Sequence, residues 1–137
     1  AGAAIMSKIM LTGNEIINKD TNNSFIDIQK GNVEIKEGLG FVDHFIVDQH
    51  FVKRKRQNRL VSVLLDHLKY PCVGIDESTA LIYKNGECRV VGESNVLVYK
   101  LQNIKSVKIN KNGIYSAKSI NLDIYVDGDV FFLRGKK

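Results

Sequence analysis

The sequence is poor in the residues that build metal centres and cross-links. Its two cysteines, Cys72 and Cys88, stand far apart, with no Cys-x-x-Cys and no clustered histidine. That is neither a zinc pattern nor a disulfide framework, and both are expected as buried, reduced thiols. Only three histidines occur, none at ligand spacing from another donor, so no metal or other cofactor is expected. No apolar run reaches the length of a membrane-spanning helix, so no membrane span is expected. A signal-peptide pattern, internal repeats, low-complexity tracts and linkers are lacking too. There is no initiating Met: the chain opens on Ala1-Gly2-Ala3-Ala4, which reads as the inside of a structural element, and the natural N-terminus is expected upstream. Acidic residues are outnumbered, 15 against 20 Lys and Arg, for a net charge of +5. The excess is local. Lys53, Arg54, Lys55, Arg56 and Arg59 supply it, and the remaining cations balance the acids. A surface basic all over is thereby excluded, and one concentrated positive site is left to explain.

What is present describes one globular domain. The composition is 44% hydrophobic and 26% charged, enough apolar material in 137 residues for a single core. Ala1 to Leu11 reads as a helix of small and apolar residues, broken by Thr12-Gly13-Asn14. Asn18 to Asn32, rich in Asn, Asp, Ser and Thr, reads as a surface loop. Val33-Glu34-Ile35 is a candidate short strand, and Phe41 to Val47 ends in a buried one. Leu60, Val61, Leu64, Leu65 and Leu68 recur at helical spacing, and Pro71 ends that helix. Cys72 to Ile75 suits an interior strand. Ala80–Tyr83 and Cys88–Val91 flank Asn85-Gly86, a strong hairpin signal. Asn95 to Leu101 is a further strand, and Ile120–Val126 and Val130–Leu133 flank a second turn at Asp127-Gly128. Helix and strand alternate early and hairpins follow late: an α/β core with a β-rich C-terminal extension.

The chemistry concentrates at Asp48-Gln49-His50-Phe51 and the basic run after it. A dense charge run is usually a solvated face, and that is the reading preferred for Lys53 and Lys55. His50, however, ends a strand, where α/β proteins place ligands, and a neutral imidazole serves as a base near neutral pH. His44 and His67 read as structural or surface residues. None of the eight serines stands in a Gly-x-Ser-x-Gly elbow. The opening Ala1-Gly2-Ala3-Ala4 is instead the kind of small-residue segment that follows an elbow nucleophile.

Several of these segments, in this order, resemble the cyanophycinase family of serine peptidases. Ala1-Gly2-Ala3-Ala4 is similar to the family's segment after the nucleophile, Ser-Ala-Gly-Ala. Asp48-Gln49-His50-Phe51 resembles its Asp-Gln-His-Phe, and Arg54, Arg56 and Arg59-Leu60 its spaced arginines. Gly74-Ile75-Asp76-Glu77 with Thr79-Ala80 resembles its Gly-Ile-Asp-Glu-x-Thr-Ala. The resemblance covers the C-terminal part of the family's domain, so residues 1–137 are expected as one part of a larger peptidase domain. It implies a partial class I glutamine-amidotransferase-like (flavodoxin-like) three-layer α/β fold, a cytoplasmic homodimeric parent, and hydrolysis of cyanophycin, a poly-aspartate carrying arginine on each side-chain carboxyl, to β-Asp-Arg dipeptides.

His50 then stands at the general base. Glu15 is taken as the third triad member, with Glu34 and Glu37 as competitors, and the Ala1 backbone N–H as an oxyanion-hole donor. Arg54, Arg56 and Arg59 suit bidentate grips on substrate carboxylates. Asp48 and Gln49 are placed to receive a substrate guanidinium or to position the loop. Asp76, Glu77 and Thr79 carry a signature that a strand-terminal turn explains equally well. Lys55 and Asn58 stand where the family has glycine. The nucleophile would precede Ala1, so these residues alone are expected to be inactive. One alternative is a related peptidase for other isoaspartyl or acidic peptides. Another is a non-catalytic anion- or nucleic-acid-binding module, disfavoured because only Phe51 is available for base stacking.

Overall fold

The computed structural model describes residues 2–18 and 25–134. After a 3-10 turn at Ala4–Met6, the chain forms β1 (Ile9–Glu15), β2 (Val33–Glu37), β3 (Ile46–Gln49), α1 (Gln57–Asp66) and β4 (Cys72–Ile75). There follow β5 (Thr79–Lys84), β6 (Glu87–Gly92), β7 (Val96–Leu101), a second 3-10 turn at Ile104–Ser106, β8 (Lys108–Ile109), β9 (Tyr115–Ser116), β10 (Ile120–Tyr125) and β11 (Val130–Phe132).

The central sheet has the order β10-β7-β4-β3. Strands β3 and β4 are parallel, with Ile46 opposite Cys72 and Gln49 opposite Ile75, and α1 makes the crossover that parallel neighbours require. Alternation along these strands builds two cores. Ile46, Cys72, Leu97 and Tyr99 point to one face, where α1 delivers Leu60, Val63 and Leu64. Val47, Val73, Ile75, Val96 and Val98 point to the other, against Cys88 and Val90 of β6 and Phe131 of β11. The result is three layers, helix on sheet on sheet, with the antiparallel sheet β11-β6-β5 as the second cover. This is the expected α/β core with a β-rich extension.

The β5–β6 hairpin turns at Asn85 and Gly86 as expected, both with positive φ (50° and 87°), the geometry of a type I′ turn. Three expectations need correction. The N-terminal segment is not a helix beyond its single 3-10 turn: Ile9, Met10 and Leu11 pair with Glu37, Lys36 and Ile35. A short apolar run carries no periodicity able to tell helix from strand, and the available partner strand decided. Asp127-Gly128 does turn the chain but closes no hairpin, because β10 pairs with β7 and β11 with β6. Finally, the described part of the 18–32 segment is anchored rather than superficial. Phe25 and Asn32 are buried, and Gln29 bridges to Ile114.

One glycine sets a close approach that the site depends on. A Cβ on Gly74 would lie 2.3 Å from the ring of Phe51, and that ring, next to His50, is fully buried. Overpacking of this kind costs about 2 kcal/mol. Gly74→Ala is accordingly expected to lower the unfolding free energy by about that amount in chemical denaturation, and an unchanged midpoint would contradict the packing described.

Candidate active site

The parallel ladder brings the C-terminal ends of β3 and β4 side by side, and each strand ends in polar residues. From β3 come Asp48, Gln49 and His50; from β4 come Asp76 and Glu77. His50 Nδ1 lies 3.1 Å from Glu77 Oε1. A carboxylate partner fixes the ring proton on Nδ1 and leaves Nε2 with its lone pair, the tautomer a general base needs. His50 has φ 50°, a left-handed conformation that is uncommon for a residue with a side chain and is found at functional sites. Arg54 Nε stands 3.9 Å from the same Glu77 oxygen.

A buried ion pair roots the basic turn. Asp48 is fully buried and Arg59 nearly so; Arg59 Nε donates to Asp48 Oδ2 at 2.7 Å and its NH2 donates to Oδ1. Asp48 is thus turned inward to hold the start of α1, the loop-positioning option. Arg56 NH1 donates to the Gln49 carbonyl at 2.6 Å and lies 3.8 Å from Asp48. Burial, and then the charge of Arg59, press the Arg56 pKa down from its ordinary high value. Gln49 also faces the protein: its Oε1 accepts from the N–H groups of Ala3 (3.2 Å) and Ala4 (3.4 Å), tying the N-terminal segment to the end of β3.

Asp76 holds the turn from the other side. Its Oδ1 accepts from the Lys53 N–H at 2.9 Å and its Oδ2 from the Ser94 hydroxyl at 2.5 Å. Burial by itself raises the Asp76 pKa, but the Ser94 hydroxyl and the N–H groups of Lys53, Glu77 and Val52 outweigh it and hold the carboxyl below its ordinary value.

Arg54, Lys55, Arg56 and Arg59 converge with Gly13 and Phe25 on a cavity of about 240 Å³. Lys55, read from sequence as a bystander, belongs to this lining and has φ 51°. The left-handed backbone suited to glycine therefore persists here on a lysine. Asn58 replaces the other glycine inside α1, where its Nδ2 donates to the Phe25 carbonyl at 3.0 Å. A larger apolar cavity, about 680 Å³ between Phe41, Phe45, Leu81 and Tyr83, has no carboxylate, histidine or arginine in its wall.

Glu15 is placed elsewhere: its Oε1 accepts from Asn32 Nδ2 at 2.9 Å. Glu34 receives Thr12 Oγ1 and Asn14 Nδ2, and Glu37 is exposed on β2. The carboxylate that meets His50 is Glu77, which sequence reading had left as a turn residue. The signal that would have found it is the ending of two successive parallel strands in Asp-Gln-His and Asp-Glu. Ala1 lies outside the described residues. His44 is structural, its Nε2 2.8 Å from the Leu133 carbonyl. Among the described residues no three His, Cys, Asp or Glu side chains group as a metal site, and no helix is long and apolar enough to cross a membrane.

The three-layer α/β architecture has a counterpart among solved structures. A crystal structure of a peptidase from an acI-B1 Actinobacterium superposes with a TM-score of 0.54 at 19% identity, over 96% of this chain and 42% of that one. No family model matches the chain. Cyanophycinases of Synechococcus elongatus and Thermosynechococcus vestitus are 31% identical over 98% of this chain, and that of Trichormus variabilis is 31% identical over 97%. Over nearly its whole length the chain is homologous to cyanophycinases. It spans 40% to 43% of the length of these relatives.

Two measurements check the site's supports. Removing one partner of a buried pair strands the other charge, at about 3 kcal/mol. Asp48→Asn is therefore expected to cost about that in unfolding free energy, and a loss within experimental error would contradict the buried pair. For Asp76, a lowered folded-state pKa means that its stabilisation is present above the unfolded-state pKa and is lost as pH falls through the folded one. Asp76→Asn should be less stable than wild type at neutral pH, with the gap closing below about pH 4. Parallel stability curves across that range would contradict the assignment.

Proposed function

We propose that this chain is part of a cyanophycinase-type serine peptidase, and that its contribution is the base and the substrate grip. His50 acts as general base through Nε2. Glu77 holds its tautomer and stabilises the imidazolium that forms when a serine hydroxyl gives up its proton. The nucleophile is supplied from outside these 137 residues, which form the C-terminal part of the catalytic domain and are inactive alone. Arg54 and Arg56 meet substrate carboxylates, with Lys55 adding charge, while Arg59 and Asp48 hold the turn in place. Gln49 orients the segment at Ala3 and Ala4, and the Ala1 N–H contributes to the oxyanion hole. The substrate is cyanophycin, cleaved to β-Asp-Arg, and the parent enzyme is a cytoplasmic homodimer.

The observation that carries this reading is the His50–Glu77 contact together with Arg54, which stands 3.9 Å from the same Glu77 oxygen and lines a cavity walled by arginine and lysine. A hydrolytic base and a carboxylate-binding surface then share one turn. The solved structural neighbour is a peptidase, in keeping with hydrolysis. Nucleic-acid binding is weakly supported, because Phe51, the aromatic within the basic run, is fully buried and offers no face to a base.

The test uses the full-length parent and release of β-Asp-Arg from cyanophycin. His50→Ala is expected to lower kcat by roughly 10³-fold or more, and Glu77→Gln by about 10⁴-fold, while Glu15→Gln stays near wild type. Full activity in His50→Ala would refute the base assignment; loss in Glu15→Gln with retention in Glu77→Gln would return the third position to Glu15. Preference for α-linked aspartyl peptides over cyanophycin would move the substrate to the broader acidic class.

A further inference from the structure

The charge of this chain is not confined to the turn after His50. Residues 94–122 contain Lys100, Lys105, Lys108, Lys111 and Lys118 and no Asp or Glu. Three of these lysines meet. Lys105, Lys108 and Lys118, with Asn103, Ser106 and Ser116, line a cleft of about 260 Å³ without a single carboxylate in its wall. Its walls are cross-braced. The Ser106 hydroxyl donates to the Asn103 carbonyl at 2.7 Å and accepts from the Lys118 N–H at 2.9 Å, and Lys108 pairs with Ser116 across β8–β9. Among the described residues none of the three lysines joins an ion pair. Three lysines thus line one cleft with no acidic residue among them, a wall whose charge favours an anion.

Where the cleft lies suggests what fills it. Strand β7 runs antiparallel to β4, with Val96 opposite Ile75 at the His50 end and Tyr99 opposite Cys72 at the other. The cleft follows the far end of β7, roughly 20 Å of strand away from His50. A ligand engaging both sites must carry carboxylates along a chain at least about six extended residues long. We infer that the Lys105–Lys108–Lys118 cleft is a second anchoring site for a carboxylate-bearing peptide polymer whose end occupies the cavity lined by Arg54, Arg56 and Arg59. The inference rests on the acidic-substrate reading of that cavity. Nucleic acid is the poorer occupant, since the cleft wall contains no aromatic side chain to stack on bases.

The experiment compares labelled poly-L-aspartate of about 20 residues, well beyond the ~6-residue span, with tri-L-aspartate by fluorescence anisotropy on the 137-residue chain. Combined Lys105→Gln, Lys108→Gln and Lys118→Gln is expected to weaken the long polymer roughly tenfold, the effect of three exposed charge contacts, and to leave tri-L-aspartate unchanged. A control triple with the same charge loss, Lys30→Gln, Lys36→Gln and Lys84→Gln, should retain wild-type binding, and Lys→Arg at the three cleft positions should restore it. All six positions are exposed, and coincident thermal melts establish that the variants fold. Equal binding of the long polymer by wild type and cleft triple overturns the inference. So does an equal loss in the control triple, or tighter cleft-dependent binding of a single-stranded oligonucleotide than of poly-L-aspartate. Failure of the underlying reading registers separately: Arg54→Gln with Arg56→Gln would then leave tri-L-aspartate binding unchanged, while the lysine dependence of the long polymer persists and still supports the cleft.

Discussion

The site hangs on the buried pair between Asp48 and Arg59. A fully buried carboxylate needs an excellent partner or it destabilises the fold, and the forked guanidinium supplies two hydrogen bonds at once. Because Asp48 lies one residue before the end of β3 and Arg59 lies in the first turn of α1, the pair closes the intervening residues into a loop of defined shape. His50, Arg54 and Arg56 all lie within that loop. Its left-handed residues, His50 and Lys55, are conformations that free chains avoid and that persist where surrounding contacts over-determine the backbone.

Asp76 and Glu77 divide a second task between neighbouring positions. Asp76 looks inward and accepts from Lys53 and Ser94, pinning the loop to the end of β4. Glu77 looks outward and meets His50. One strand end therefore supplies both the support and the group that sets the imidazole tautomer. Arg54 reaches toward the same Glu77 oxygen, so a cation, a carboxylate and an imidazole share one electrostatic neighbourhood.

Much of this was legible from residues alone. The helical spacing of Leu60 to Leu65 marked α1, Asn85-Gly86 marked the hairpin, and the Asp-Gln-His segment marked the end of a strand. What escaped was tertiary. Glu77 stands 27 residues from His50, and only the parallel register of β3 with β4 makes them neighbours. Asp48 and Arg59 read as substrate contacts because charge is commonly outside, and nothing local signals that they satisfy each other. Lys55 is exposed, as expected, yet contributes to the cavity wall. The N-terminal apolar run looked helical because its true determinant, pairing with β2, lies across a long and polar connection.

The proposed roles of His50 and Glu77 require the imidazole proton on Nδ1, with Nε2 left free as the base. Long-range ¹H–¹⁵N correlation of the imidazole nitrogens, recorded at about pH 8.5 where an unperturbed histidine is neutral, reads the tautomer directly. The Nδ1–H form is expected for His50 in the wild-type chain, with its loss in Glu77→Gln. A dominant Nε2–H form in the wild type, or a tautomer indifferent to Glu77, would contradict it.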